Sequence, residues 1–353
     1  KNKKAEFKEA FLSLPEEDMF KYFELLRKNL SGTLGKNLIN LEFPLAAEEE
    51  GGPHEFLLKL RGSRLQDDAL LDAFYDRIIE NYDYVGNYLI LLIHDAYDIP
   101  GKTSDGIEME DASDEVYSYI LCSICPVDLS KPGLSYNEME GSFQNRIRDW
   151  VVQMPQLGFL FPAFDDRTAN LYNALFYSRK PDELHQEFID AVFRTEPPMS
   201  AAEQRETFQS ALCGTLEGAC SMEVVQSVHD YLRQRIQEHK ESRDPEPLAV
   251  TAGEVSGVLR NCGVPEERVE AFQTACGQSF GEGALTPANL IDAKRFAVKT
   301  ADATIQVDPE RSYLVEARII DGRRYLLVPA DESVEVNGLG VRIAAAKDGG
   351  ETT

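Results

Sequence analysis

Asn87-Tyr88-Leu89-Ile90-Leu91-Leu92-Ile93-His94-Asp95 is the stretch on which the fold turns. Residues 88–93 are apolar at odd and even positions alike, which fits a strand covered on both faces; a short buried helix shares that pattern. Three further runs have the same character: Val116-Tyr117-Ser118-Tyr119-Ile120-Leu121-Cys122, Gly158-Phe159-Leu160-Phe161 and Leu171-Tyr172-Asn173-Ala174-Leu175-Phe176-Tyr177. The last two flank the turn-rich Asp165-Asp166-Arg167-Thr168. No long helical pattern intervenes between the four runs, as parallel crossovers would require, so they are expected to pair as an antiparallel sheet. His94 and its carboxylate neighbours would then sit at the rim of a stiff platform.

Helical periods precede the sheet. Ser13-Leu14-Pro15-Glu16 reads as a capping box, followed by Met19, Tyr22, Phe23, Leu26 and Leu30 at helical spacing, with Gly32 as the stop. A second helix is expected from near Ser63, with Asp67 and Asp68 at its positive end and Leu71, Phe74, Tyr75, Ile78 and Tyr82 as its inner stripe. Glu48–Pro53 between the two reads as a solvated loop. Beyond Pro197-Pro198 the chain turns helical for some ninety residues. Ser200 with Glu203 and Thr251 with Glu254 open helices there, Val225, Val228, Leu232 and Ile236 share a face, and Glu241–Pro247 is a linker. Gly263 ends one helix and Pro265 starts the next, with Val269, Phe272 and Cys276 inward. From Arg295 onward short strands predominate, and Asp321-Gly322 is the strongest hairpin turn in the sequence.

These periods give an α+β class: an antiparallel sheet flanked by helices, a helical middle segment and a small C-terminal β module. The expected divisions are 1–196 for the α+β domain, 197–291 for the helical segment, 292–347 for the β module and 348–353 for an acidic tail.

The chain has 353 residues, 43% hydrophobic and 27% charged, with 36 Lys and Arg against 61 Asp and Glu. The formal charge is −25. Residues 292–347 are neutral, with nine basic and nine acidic side chains, so the acidity belongs almost wholly to residues 1–291. Such a surface repels phosphate backbones and anionic lipid over a Debye length of ~8 Å. General nucleic-acid binding and membrane binding are therefore excluded as expectations. The acidity reads chiefly as a solubility device, and a cationic partner or metal is the other reading. No run reaches the ~18 to 20 uninterrupted apolar residues of a membrane span. Lys1-Asn2-Lys3-Lys4 is basic without a following apolar core, so no secretory leader is read, and the six cysteines are expected reduced in a cytoplasm.

Candidate chemistry falls on four places. His94, Asp95 and Asp98 stand where the first apolar run meets an acidic connection of about twenty residues that carries Asp105, Glu108, Glu110, Asp111, Asp114 and Glu115. An imidazole beside two carboxylates could bind a divalent cation, or act as base and orienter, and the bland reading is a strand-ending pair that satisfies backbone groups. Arg146, Arg148 and Arg167, with Asp149 beside Trp150, suggest a stacked guanidinium or a local anion site, against ordinary ion pairs. Cys122 and Cys125 form a C-x-x-C in which Pro126 follows directly and the preceding run reads as strand. Residues three apart on a strand face opposite ways, so buried structural thiols are preferred to metal or redox work. Gly32–Asn37 lacks the first Gly and the final Ser or Thr of a phosphate loop and is rejected. The helices around Gly263 read as an αα-hairpin and not a DNA reader, because Glu254, Glu266, Glu267 and Glu270 oppose phosphate.

The strings Asn87–Pro100, Cys122-Ser123-Ile124-Cys125-Pro126-Val127 with Leu129-Ser130-Lys131-Pro132-Gly133, and Gly158–Phe164 resemble an uncharacterised bacterial domain-of-unknown-function family, found mostly in anaerobic Gram-positive bacteria. The resemblance extends to Ile319–Gly322 and Val334–Gly338. It implies a cytosolic bacterial protein and no particular activity. It also implies a cysteine-containing segment ahead of the part matching Phe7–Leu14, where only Lys1–Lys4 stand before Ala5 here, so any site assembled from those upstream cysteines is left open.

No G-x-S-x-G, H-E-x-x-H or dinucleotide fingerprint occurs. The expectation is a non-enzymatic cytosolic interaction or regulatory protein, without a cofactor, presenting aromatic and acidic surface to a protein partner. The alternative is a metal-dependent hydrolase or nucleotide-handling enzyme at His94, Asp95 and Asp98, with a divalent cation. Oligomeric state is left open.

Overall fold

The four apolar runs do form strands of one antiparallel sheet. The computed structural model describes residues 3, 5–8, 10–102, 108–165, 168–242, 246–281, 285–330 and 334–341. The chain divides into two compact units, Lys1–Glu206 and Thr207–Thr353.

The elements of the first unit run α1 (Glu16–Asn29), β1 (Leu38–Glu42), α2 (Pro53–Gly62), α3 (Asp68–Asn81), β2 (Asn87–Lys102), β3 (Glu108–Leu129), β4 (Leu134–Asn137), β5 (Ser142–Asn145), β6 (Trp150–Val152), β7 (Leu157–Phe161), β8 (Ala163–Asp165), β9 (Thr168–Asn170), β10 (Asn173–Ser178) and α4 (Gln186–Phe193). Helix α5 (Ala201–Leu216) follows, then α6 (Met222–Ser242), α7 (Ala252–Asn261), α8 (Glu266–Phe280) and α9 (Pro287–Leu290). Three hairpins close the described chain: β11 (Phe296–Lys299) with β12 (Thr304–Val307), β13 (Glu316–Ile320) with β14 (Arg323–Leu327), and β15 (Val334–Val336) with β16 (Leu339–Val341). The class is α+β, as the periods imply.

The sheet order is β1-β10-β7-β3-β2, with β6 also on β3, and every pairing is antiparallel. Side-chain alternation divides its residues between two faces. Ile120, Cys122 and Ile124 of β3 join Phe159 and Phe161 of β7 and Phe176 of β10 in a core with Leu57 and Leu60 of α2, Phe74 and Ile78 of α3, and Phe188 and Phe193 of α4. Each buried phenylalanine there contributes about 1.5–3 kcal/mol of transfer free energy. Leu121 and Leu160 point the other way, against Leu26 of α1. The run Tyr88–Ile93 is half-buried throughout, its even members packed on the first core and Leu91 and Ile93 on the second.

Helix starts differ from the sequence reading in an informative way. Ser13 caps nothing: its hydroxyl donates to the Ala10 carbonyl at 2.6 Å inside a short 3-10 turn, and α1 begins after Pro15 without a side-chain cap. Ser63 likewise donates to Leu60 O at 2.8 Å, behind a helix (α2) that the sequence reading did not identify. The cap of α3 is Asp67, whose carboxylate accepts from the amides of Ala69 and Leu70. The inner stripe of α3 holds: Leu71, Phe74, Ile78 and Tyr82 are buried, with Tyr75 packed at the edge.

The second unit is organised around α5–α9, whose core includes Phe208, Leu212, Val228, Leu232, Leu259, Val269, Phe272 and Cys276. Both expected capping boxes form, Ser200 with Glu203 and Thr251 with Glu254. Val225 is exposed and Val224 takes the buried position beside Val228. The β module is not one sheet but three separate hairpins. A 3-10 turn at Pro309–Leu314, absent from the sequence reading, seats it on α6: Gln226 Nε2 donates to Ser312 O (2.7 Å) and Val315 O (3.1 Å), and His229 meets the Phe296 ring edge-on at 5.3 Å.

Candidate functional site

His94, Asp95 and Asp98 do not stand at a strand end. β2 continues to Lys102 and β3 starts at Glu108, so most of the acidic connection is ladder: His94 pairs with Ile120, Asp95 with Tyr119, Asp98 with Val116 and Ile99 with Glu115. Asp105 lies outside the described residues. β7 covers β3 only over Ile120–Ile124, so beyond His94 the two strands leave that neighbour as a ribbon. Alternation puts His94 and Asp98 on one face and Asp95 on the other, and the four-residue step from His94 to Asp98 spans ~13 Å. One ion cannot take all three. Among the described residues no group of three His, Cys, Asp or Glu side chains is placed to hold a metal ion.

The two halves of the trio have separate surroundings. His94 Nε2 lies 3.0 Å from Ser118 Oγ on the adjacent strand. Partial burial lowers the affinity of His94 for a proton, and the guanidinium groups of Arg64 and Arg61 lower it further, with Asp95 opposing. Asp95 accepts from Tyr119 OH at 3.2 Å and from the Ala96 amide at 2.8 Å. Tyr119 stacks on Tyr117, whose hydroxyl donates to Pro162 O at 2.5 Å. Arg61 and Arg64, at the end of α2, were invisible to local sequence reasoning because only tertiary packing brings them toward His94.

The arginines of the second candidate also separate. Arg167 lies outside the described residues. Arg148 Nε donates to Ser130 O at 2.7 Å, while Ser130 N donates to Asp149 O at 2.8 Å and Asp149 N to Ser130 Oγ at 3.1 Å. Arg148 thus ties the segment that follows β3 to the antiparallel segment that leads into β6. Arg146 is exposed, its amide bonded to Gly133 O. No guanidinium stacks on Trp150 among the described residues; the cation–ring contacts are Arg77 over Phe56 and Lys3 over Tyr75.

Cys122 and Cys125 are both buried in β3, three residues apart on a continuous ladder and so on opposite faces. Burial raises both thiols, Cys125 to about 12. Burial thus disfavours the thiolate form of both side chains.

The largest feature to emerge is an arm that Arg148 braces. From Leu129 opposite Trp150 the ribbon continues through the Ser130–Asp149 and Gly133–Arg146 bonds into β4 and β5, where Tyr136 faces Phe143 with ring centroids 5.3 Å apart. Leu134, Tyr136 and Phe143 share one face, since directly opposed residues and residues two apart project the same way. Leu134 is 71% exposed, Phe143 73%, Ile147 80% and Trp150 58%. Residues 129–154 carry three basic and three acidic side chains, a neutral apolar surface on a chain of net charge −25. The sequence signal is the pair of alternating runs on either side of Glu138–Gly141, each only four residues long and so too short for period alone to mark as strand.

Among the described residues no helix is long and apolar enough to cross a membrane. Residues 1–339 match the family described as Domain of unknown function (DUF4317). No curated protein and no solved structure matches the chain.

Proposed function

The chain belongs to the DUF4317 family, and from its geometry we propose that it is a non-enzymatic interaction protein of the bacterial cytosol, which binds a protein partner through the aromatic arm of β4 and β5. One observation carries this reading: Leu134, Tyr136, Phe143, Ile147 and Trp150 are held in water by a ribbon whose base is fixed by backbone bonds and by Arg148. Scattered exposed apolar residues need no explanation, but Leu134, Tyr136 and Phe143 side by side on one face of a braced hairpin lose free energy until something covers them. The arm's neutrality suits an apolar contact, because its own charges balance in an otherwise repelling acidic field.

The metal-dependent hydrolase reading finds no support in the geometry, since its three residues diverge across a strand. The test is site-specific photo-crosslinking in living cells of the source organism, with a crosslinking residue at position 136 or 143 and a control at Glu187 on exposed α4 surface. One protein adduct common to 136 and 143 and missing at 187 is the expected result. An adduct consisting of a second copy of the chain, or no adduct specific to the arm, overturns the partner reading.

A further inference from the structure

A second surface lies on the helical layer of the same unit. A groove of about 480 Å³ opens among the start of α2, the outer side of α3 and the end of α4, lined by Asp76, Arg77, Glu80, Asn81, Asp190 and Arg194 among others. Arg77 and Arg194 both face it. Arg77 is half-buried with its guanidinium 4.4 Å above the Phe56 ring, so its orientation is set by packing. Arg194 follows α4 in the left-handed region, at φ 50°. Neither guanidinium is within ion-pair distance of a carboxylate among the described residues, although three carboxylates line the same groove.

The two guanidinium groups face one concavity with no direct ion pair among the described residues, so their N–H donors are open to an oxyanion, while Asp76, Glu80 and Asp190 set the charge of the rest of the lining. Burial and the neighbouring charge of Arg194 both weaken Arg77's hold on its proton, the direction expected when like charges meet in partly excluded water. The planar guanidinium offers parallel N–H donors that match phosphate and carboxylate oxygens, and two of them can grip one tetrahedral anion. Asp76, Glu80 and Asp190 restrict what else the ligand carries. They repel a polyphosphate or a nucleic acid and accept an ammonium or hydroxyl group.

We propose that the groove of Arg77 and Arg194 binds a small phosphomonoester that also carries an amine, with its phosphate on the two arginines and its ammonium toward Asp76, Glu80 and Asp190. The site lies apart from the β4–β5 arm in the element order and does not depend on the arm's role.

The experiment is isothermal titration calorimetry of the full chain with inorganic phosphate and with phosphoethanolamine, against sodium chloride at matched ionic strength. Phosphate binds above the chloride control, phosphoethanolamine binds more tightly, and Arg194→Gln weakens both by about tenfold or more, the loss of one charge-assisted contact. Arg194→Lys restores only part of the affinity, since it returns the charge without the fork. Arg194 is exposed, so its variants keep the fold, and urea unfolding of each checks this; Arg77→Gln is a poorer choice because it also removes the contact with Phe56. Absence of binding by both probes overturns the site. Binding that survives Arg194→Gln unchanged overturns its placement in this groove. Equal affinity for the two probes overturns the amine-bearing class.

Discussion

Asn29 Nδ2 donates to the carbonyl oxygen of Cys122 at 2.8 Å, across a space that Gly158 keeps open by having no side chain. The same amide also reaches Ser123 Oγ. Asn29 ends α1 and Cys122 lies in β3, so this one buried side chain fastens the helix to the face of the sheet opposite the phenylalanine core. Replacing Asn29 by Ala leaves buried polar groups unpaired and is expected to lower unfolding free energy by about 1–3 kcal/mol. Urea unfolding followed by circular dichroism measures it. A loss below the fitting error would show that the bond contributes nothing net.

Gly158→Ala tests the same junction from the other strand. A Cβ built there overlaps the Cys122 carbonyl oxygen and Asn29 Nδ2, and the first of these is backbone that cannot swing away. The expected cost is about 1–3 kcal/mol, typical of overpacking. Gly133→Ala meets nothing within 4 Å and serves as the control, with a small change expected.

His94 gives a pH dependence of defined sign. Burial and the positive charge of Arg64 and Arg61 hold its folded-state affinity for protons below the ordinary value of 6.5, against the opposing charge of Asp95. Above that pH the imidazole is neutral in both states and contributes nothing. As pH falls through 6.5 the unfolded chain takes up the proton first, so stability declines until the folded state is protonated as well. His185, also lowered by burial, acts in the same direction. Urea midpoints measured downward from pH 7 are expected to fall less steeply in His94→Gln than in the unsubstituted chain. Parallel curves would remove His94 from the pH response.

Thiol labelling distinguishes structural from reactive cysteines. Cys122, Cys125 and Cys276 are buried and Cys213 is exposed, and burial also raises the Cys276 thiol to about 11. Alkylation with iodoacetamide at pH 8, read by peptide mass spectrometry, is expected to modify Cys213 first and to spare the three buried thiols until urea unfolds the chain. Early modification of Cys125 would contradict its place in the ladder.

Signals carried by neighbouring residues were legible in the sequence, and signals decided by distant ones were not. The Thr251–Glu254 capping box forms because donor and acceptor lie three residues apart, and Asp321-Gly322 turns the chain because both adopt positive φ, 50° and 75°. Ser13 and Ser63 have the same local chemistry yet cap no helix. In each case the carbonyl three residues back captured the hydroxyl, which a spacing rule cannot foresee. His94, Asp95 and Asp98 are close in the chain, but a strand puts Asp95 on the face opposite His94 and carries Asp98 a four-residue step away along it.

The sequence by itself determined the antiparallel class, four of the six strands of the main sheet, the helical middle and the acidic character, because hydrophobic period and charge act over a few residues at a time. Only tertiary structure decided how far β2 and β3 go on pairing, that the charges of Arg61 and Arg64 act on His94, that Arg77 and Arg194 share a groove and that Arg148 braces the arm. Those outcomes depend on register and packing between segments far apart in the chain, where small differences in buried area and hydrogen bonding select one arrangement and no single stretch contains the information.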